Sequence, residues 1–319
     1  MTPADVLRAS AAIGNRLHRT PLFTSKTLGH AARARVYLKA ELFQKTGSFK
    51  PRGLLAKLTS LSPEERRRGV ITVSAGNAAA ALAYGAALEA IDCLVVMWRG
   101  ASEAKIAAVR AFGAAVDLEA AGPEEAFDRV ADVTARTGRT FIHPFDDDVV
   151  IAGHGSLGLE IVEDRPDVET VVVPVGGGGL ISGIAVAVKA TRPHARVVGV
   201  EPDGSAALGK ALAAGQPVRI VPRSIADGLN APFAGERCFA VCRDLVDDAI
   251  TVSEDEIAAG FRFLYTRAKL AAEPAGAAAV AAVLAGKIPE MNASTVAVVV
   301  SGGNVAARTA SAILASDEA

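Results

Sequence analysis

Five short runs dominated by β-branched residues recur along the chain: GVITVSA (69–75), DCLVVMW (92–98), ETVVVPV (169–175), RVVGVE (196–201) and TVAVVVS (295–301). Longer alanine- and leucine-rich stretches of helical character separate them. A strand that is apolar on both faces must be covered on both, and helices between successive strands supply the cover. The alternation therefore predicts parallel sheet flanked by helices, an α/β fold. Three of the runs end in turns of small residues before a helix resumes: Ser74-Ala75-Gly76-Asn77, Gly176-Gly177-Gly178-Gly179 and Ser301-Gly302-Gly303-Asn304. Ligands of open α/β sheets sit at the carboxyl ends of strands, where such turns expose backbone N–H groups and helix N-termini to anions. Three of them in one chain predict a composite site.

The function classes narrow quickly. A chain of 319 residues, 50% of them hydrophobic, buries a sizeable core and has room for one large domain or two ordinary ones. Its formal net charge of −1 lacks the basic excess of a nucleic-acid binder, so a small-molecule ligand is expected and no nucleic-acid partner. Cys93, Cys238 and Cys242 make neither a disulfide framework nor a C-x-x-C pair and read as reduced thiols of a cytoplasmic protein. Cys238 and Cys242, four apart, share a helix face if that segment is helical, and core packing suits them better than metal binding. The start of the chain lacks the basic patch and apolar run of a signal peptide, and the alanine-rich stretch 271–285 is interrupted by Glu273 and Pro274, so no membrane partner is expected. The acidic run Asp146-Asp147-Asp148 reads as a solvated turn and a possible domain boundary, and His18, His30 and His194 as structural.

Lys50 stands in the stretch KTGSFKPRG (45–53). Pro51 disfavours helical geometry at the residue before it and suits the first helical position, which places Lys50 at a helix entrance. The four glycines 176–179 let a ligand approach the backbone with no Cβ in the way, and the helix expected after them favours a phosphate at its positive end. No Gly-Lys-Ser/Thr follows, so this is not a Walker loop; taken alone, it fits a phosphate cup and a plain tight turn equally. A lysine withdrawn from water has a lowered amine pKa and forms a Schiff base with an aldehyde. Paired with a phosphate cup, that chemistry suits pyridoxal phosphate.

Taken in order, Glu41-Leu42-Phe43-Gln44-Lys45-Thr46-Gly47-Ser48-Phe49-Lys50, Ser74 to Asn77, Gly176 to Gly179, Gly199-Val200-Glu201-Pro202, Glu273-Pro274-Ala275-Gly276-Ala277 and Ser301 to Asn304 resemble the signature of the fold-type II pyridoxal-phosphate enzymes. The likeness is to the serine/threonine dehydratase and serine racemase branch and runs over nearly the whole chain. It implies a tryptophan-synthase-β-like architecture of two domains, each with a mainly parallel sheet covered by helices. Residues 1–67 and 149–319 would form the large cofactor-binding domain and 68–148 a small substrate-closing domain. The resemblance also implies roles. Lys50 would hold the cofactor and then serve as base at the substrate Cα, and Gly176, Gly177, Gly178 and Gly179 would bind its phosphate. Asn77 would bond its ring hydroxyl, Phe49 would pack beside the ring, and Ser301 would face the pyridine nitrogen. Ser74, Ala75, Gly76 and Asn77 would receive the substrate carboxylate, and the protein would be a homodimer.

A serine hydroxyl opposite the ring nitrogen protonates it less fully than an aspartate would, which weakens the electron sink and suits prompt β-elimination. The expected activity is dehydration and deamination of a β-hydroxy amino acid such as threonine or serine to a 2-oxo acid and ammonia. Racemisation needs a second base on the opposite face; the serine that supplies it in racemases matches Ala75, which cannot transfer a proton. The family's histidine after the loop asparagine is Ala78 here, and its Gly-Gln-Gly-Thr segment reads Gly153-His154-Gly155-Ser156. His154 is accordingly expected to line the site and reshape substrate recognition, the alternative being a packing histidine near the domain junction. Glu201 matches one ligand of the family's divalent-cation site, but Ala207 replaces the second acid. That leaves Glu201 and a carbonyl near Ser205, so divalent dependence is not expected and a monovalent ion stays open. Hydroxyaspartate or phenylserine dehydration, racemisation, β-replacement and non-catalytic cofactor binding stay open as alternatives.

Overall fold

A computed structural model describes residues 1–316. In chain order its strands are β1 (Leu22–Thr24), β2 (Arg35–Ala40), β3 (Val70–Val73), β4 (Cys93–Trp98), β5 (Ala115–Ala120), β6 (Thr140–Phe141), β7 (Thr170–Pro174), β8 (Arg196–Pro202), β9 (Asp248–Val252) and β10 (Thr295–Val300). They form two sheets, ordered β1-β2-β10-β7-β8-β9 and β5-β4-β3-β6. Every pairing is parallel except β1 with β2. The chain is thus an α/β protein, as its apolar pattern predicts, with two mainly parallel sheets in two domains, as the resemblance implies.

The period-two alternation of strands sorts the large sheet's side chains onto two covered faces. Val296, Val298 and Val300 pack with Val172 and Val198 against the helices Glu254–Phe263 and Pro274–Leu284. The intervening Ala297 and Val299 pack with Val171 and Val173 against Asp148–Asp164 and Gly179–Thr191. Each buried valine contributes about 1.5–3 kcal/mol over leaving it in water. In the small sheet, Val70, Val95 and Met97 face the helix Asn77–Leu88, while Ile71, Val73 and Val96 face Pro123–Thr137.

The helix Lys50–Thr59 touches both halves. Leu54 and Leu58 join the small-sheet core, whereas Leu55 and Ala56 pack with Ala9, Ile13 and Ala152 of the other unit. Small residues permit this contact: a Cβ on Gly153 would collide with the Arg52 carbonyl. The acidic run departs from the solvated turn expected of it. Asp147 caps Asp148–Asp164 by accepting the N–H groups of Val149 and Val150. Asp146 accepts those of Glu236, Arg237 and Cys238 at the start of Glu236–Leu245. Carboxylates gravitate to helix N-termini because unpaired donors and the positive dipole end lie there.

Candidate active site

The strand-end turns of the two sheets face each other across a cavity of about 1240 Å³. Phe49, Lys50, Ser74, Ala75, Gly76, Asn77, Gly176, Gly177, Gly178, Gly179 and Ser301 all line it. Lys50 is the first residue of its helix, and Pro51 follows inside the first turn, so the helix begins one residue earlier than the proline alone suggests. Backbone bonds tie this entrance to the end of β10: Phe49 donates to the Ser301 carbonyl at 3.0 Å, and Gly303 donates to the Gly47 carbonyl at 2.9 Å. The Lys50 amine donates to the Pro144 carbonyl at 2.9 Å. Burial lowers its pKa to about 8, with the Glu273 carboxylate offsetting part of the shift.

Below Lys50, the same helix is anchored by a buried ionic cluster. Arg52 binds Glu41 in bidentate fashion, at 2.8 and 2.9 Å, and Glu160 at 2.7 Å. Lys39 donates to Glu160 at 2.6 Å and to the Thr20 carbonyl at 2.8 Å. Two cations against two carboxylates leave the cluster neutral, and its hydrogen bonds offset much of the cost of desolvating four charges. Arg52 stays charged: burial opposes that form, but Glu41 and Glu160 outweigh it and raise its pKa.

The glycine turn runs from the end of β7 into the helix Gly179–Thr191, with Gly178 at φ 95° as N-cap. That conformation strains any residue with a Cβ. A Cβ on Gly177 would run into the Phe145 ring, and one on Gly179 would lie 2.7 Å from the Phe145 carbonyl oxygen. Among the described residues, no protein acceptor takes the N–H groups of Gly176 to Gly179. The turn therefore presents free donors at a helix N-terminus, an anion cup.

Asn77 opens the helix Asn77–Leu88. Its amide donates to Glu273 Oε1 at 2.7 Å and accepts from Asn304 Nδ2 at 2.8 Å, which fixes its orientation and links both sheets across the cavity. Burial raises the Glu273 carboxyl pKa to about 7, against the opposing effect of the Asn77 bond. Glu273 and Asn304 stand in motifs the sequence displays, but their links to Asn77 span 196 and 227 residues and are not visible there.

His154 departs from expectation, since it does not line the cavity. It is fully buried behind Phe49, ring centroids 4.8 Å apart, and a Cβ on Gly53 would press against its Nε2. Burial and the nearby Lys50 charge push its pKa well down, and neither ring nitrogen makes a hydrogen bond of normal geometry. His143, which sequence reasoning passed over, lines the cavity instead. Its neighbour Pro144 holds Lys50, a relation that only the folded chain discloses. Glu201 serves as a helix cap: its oxygens accept Leu208 N–H at 2.7 Å and Gly209 N–H at 2.8 Å, and burial raises its pKa to about 7 against those bonds.

A desolvated amine beside an anion cup, at the joint of two parallel-sheet domains, defines a class of protein that holds a phosphorylated carbonyl compound. The chain belongs to the pyridoxal-phosphate-dependent enzyme family, whose pattern it matches over residues 13–302. It is 44% identical over 306 residues to an L-threonine ammonia-lyase of Thermotoga maritima, covering 96% of this chain and 76% of that protein. It is 40% identical over 304 residues to the catabolic L-threonine dehydratase TdcB of Escherichia coli, covering 94% and 92%. The structure of maize serine racemase superposes with a TM-score of 0.93 at 35% identity, covering 99% and 98% of the two chains.

The residues present fit that cofactor: the glycine cup offers unpaired donors for its phosphate, and Lys50 is a desolvated amine that would hold its aldehyde. A neutral amine is the nucleophile. With Lys50 at about 8, the apoprotein is expected to capture pyridoxal phosphate about tenfold faster per pH unit up to that value and to level off above it. Stopped-flow absorbance of the captured cofactor measures this; a rate still climbing steeply from pH 9 to 10 would mean an ordinary, solvated lysine.

Proposed function

We propose that this chain is an ammonia-lyase that converts threonine or serine to a 2-oxo acid and ammonia. The observation that carries the reading is the placement of Lys50 and three donor-bearing turns on one cavity. Support also comes from the lyases that the chain matches at 44% and 40% identity.

The glycine turn would hold the cofactor phosphate, Phe49 would flank the ring, and Asn77 and Ser301 would meet its hydroxyl and nitrogen. When bound, the cofactor supplies the electron sink that makes the Cα proton acidic. Lys50, whose amine pKa burial brings down to about 8, takes that proton in its neutral form. Free N–H groups at the start of Asn77–Leu88, with the Ser74 hydroxyl, receive the substrate carboxylate. The balance is loss of the Cα proton and the β-hydroxyl as water, followed by uptake of one water and release of ammonia. Ala75 lines the cavity without a transferable proton, which supports elimination over racemisation.

Residues 68–148 act in this reading as the closing unit. Lys105, on the helix Glu103–Ala111, pairs with Asp227 of the other unit at 2.7 Å, and Asn77 with Glu273. Closure of this kind keeps water from the reacting centre. The reading extends to a cytoplasmic homodimer: three free, buried cysteines support a reducing compartment, and the resemblance supports the dimer.

A panel of serine, threonine, hydroxyaspartate and phenylserine stereoisomers, assayed for 2-oxo acid and ammonia, tests the proposal. Release from L-threonine or L-serine is expected. A cofactor-loaded protein silent on all of them would overturn it.

A further inference from the structure

Two histidines stand near Lys50, and only His143 reaches the cavity. Its Nδ1 accepts the backbone N–H of Asp146 at 2.9 Å and of Phe145 at 3.3 Å. An atom that accepts two donors carries no proton, so the hydrogen of the neutral ring sits on Nε2. Burial keeps the ring neutral, lowering its pKa to about 4. Phe141 and Phe145 hold it edge-on, with centroids 5.8 and 4.6 Å away. Among the described residues, the Nε2–H has no protein acceptor. A fixed, neutral, unpartnered donor therefore stands in the cavity beside the residue whose carbonyl holds the Lys50 amine.

Of the substrate's polar groups, the carboxylate has the turn at Ser74 to Asn77, and the amine has the cofactor held by Lys50. The oxygen on Cβ has no partner among those assignments. We infer that His143 Nε2–H donates to the β-hydroxyl oxygen of the substrate and thereby selects β-hydroxy amino acids. This deepens the ammonia-lyase reading and rests on it. A neutral imidazole N–H is too weak an acid to protonate the departing oxygen, so the role is orientation and recognition. Sites built to bond a substrate hydroxyl lose selectivity when the donor goes, because the group is then left unpaired.

The test compares holoenzymes of the wild type, His143→Phe and His143→Gln on L-serine and on β-chloro-L-alanine, whose chloride accepts hydrogen bonds poorly. For His143→Phe, kcat/KM on serine is expected to fall roughly tenfold or more, while that on chloroalanine changes less than about threefold. His143→Gln keeps an N–H donor and restores part of the serine activity. Trp98, the one tryptophan of the chain, lines the same cavity and supplies a readout apart from turnover. Read by its fluorescence, the affinity for L-alanine, which has no β-oxygen, stays unchanged in both variants. Equal losses on serine and chloroalanine, or no loss on either, would overturn the inference. A wild type that processes chloroalanine but no hydroxyamino acid would instead remove the ammonia-lyase reading, and this inference with it.

Discussion

Lys50→Ala is expected to lose at least about four orders of magnitude in 2-oxo acid release, together with the visible absorbance of the bound cofactor. Removing a general base alone costs about 10²–10⁴-fold, and here the group that anchors the cofactor goes as well. The fold is not expected to suffer. Alanine removes an amine that burial already disfavours, as its pKa near 8 records, and forfeits one bond to the Pro144 carbonyl worth about 1 kcal/mol. The two effects oppose each other, so circular dichroism and melting temperature stay close to wild type. Added methylamine should restore a small turnover that grows with pH, since the free base replaces the missing amine. A variant that retained the absorbance and turnover within tenfold would place the reactive amine elsewhere; Lys105 also lines the cavity and is the residue to examine next.

What the sequence discloses about this chain follows from how local each signal is. The runs that become β3, β4, β7, β8 and β10 are legible because sheets covered on both faces need uninterrupted apolar segments. The strands that escape notice lie mostly at edges: β1, β5, β6 and β9. An edge strand is half-buried, so β5 carries Asp117 and Glu119 and β9 opens on Asp248. β2 is interior yet contains Lys39, a charge that a lone sequence argues against burying. Its neutralisation comes from Glu160, 121 residues away.

The candidate site divides the same way. Its three turns are contiguous in sequence and announce themselves, whereas the clamp on Asn77 and the ionic anchor of the lysine helix are made by partners far apart. His154 is instructive because its spacing relative to the family's motif is right for a site residue. Phe49 stands between it and the cavity, and no spacing rule reports which of two neighbours lies in front. His143 follows the two-residue strand β6, too short to show a period, and the sequence marks it only by Pro144.

Arg52 carries the largest stability effect expected in this chain. Arg52→Ala leaves Glu41, fully buried, as an uncompensated carboxylate and strips one of the two cations from Glu160. Breaking a buried pair from one side costs about 3–5 kcal/mol, on the order of 10 °C in melting temperature for a chain of this size. Replacing both partners, Glu41→Leu with Arg52→Leu, leaves Lys39 and Glu160 as a neutral pair and is expected to cost clearly less than the single change. Thermal unfolding of the two variants measures this. A single variant no worse than the double would mean that the cluster contributes little. Because Lys50 lies two residues before Arg52 on the same helix, the same loss of anchoring reaches the site. At temperatures where the variant stays folded, its kcat should fall while its cofactor absorbance persists, since the amine remains but is held less firmly against the cavity.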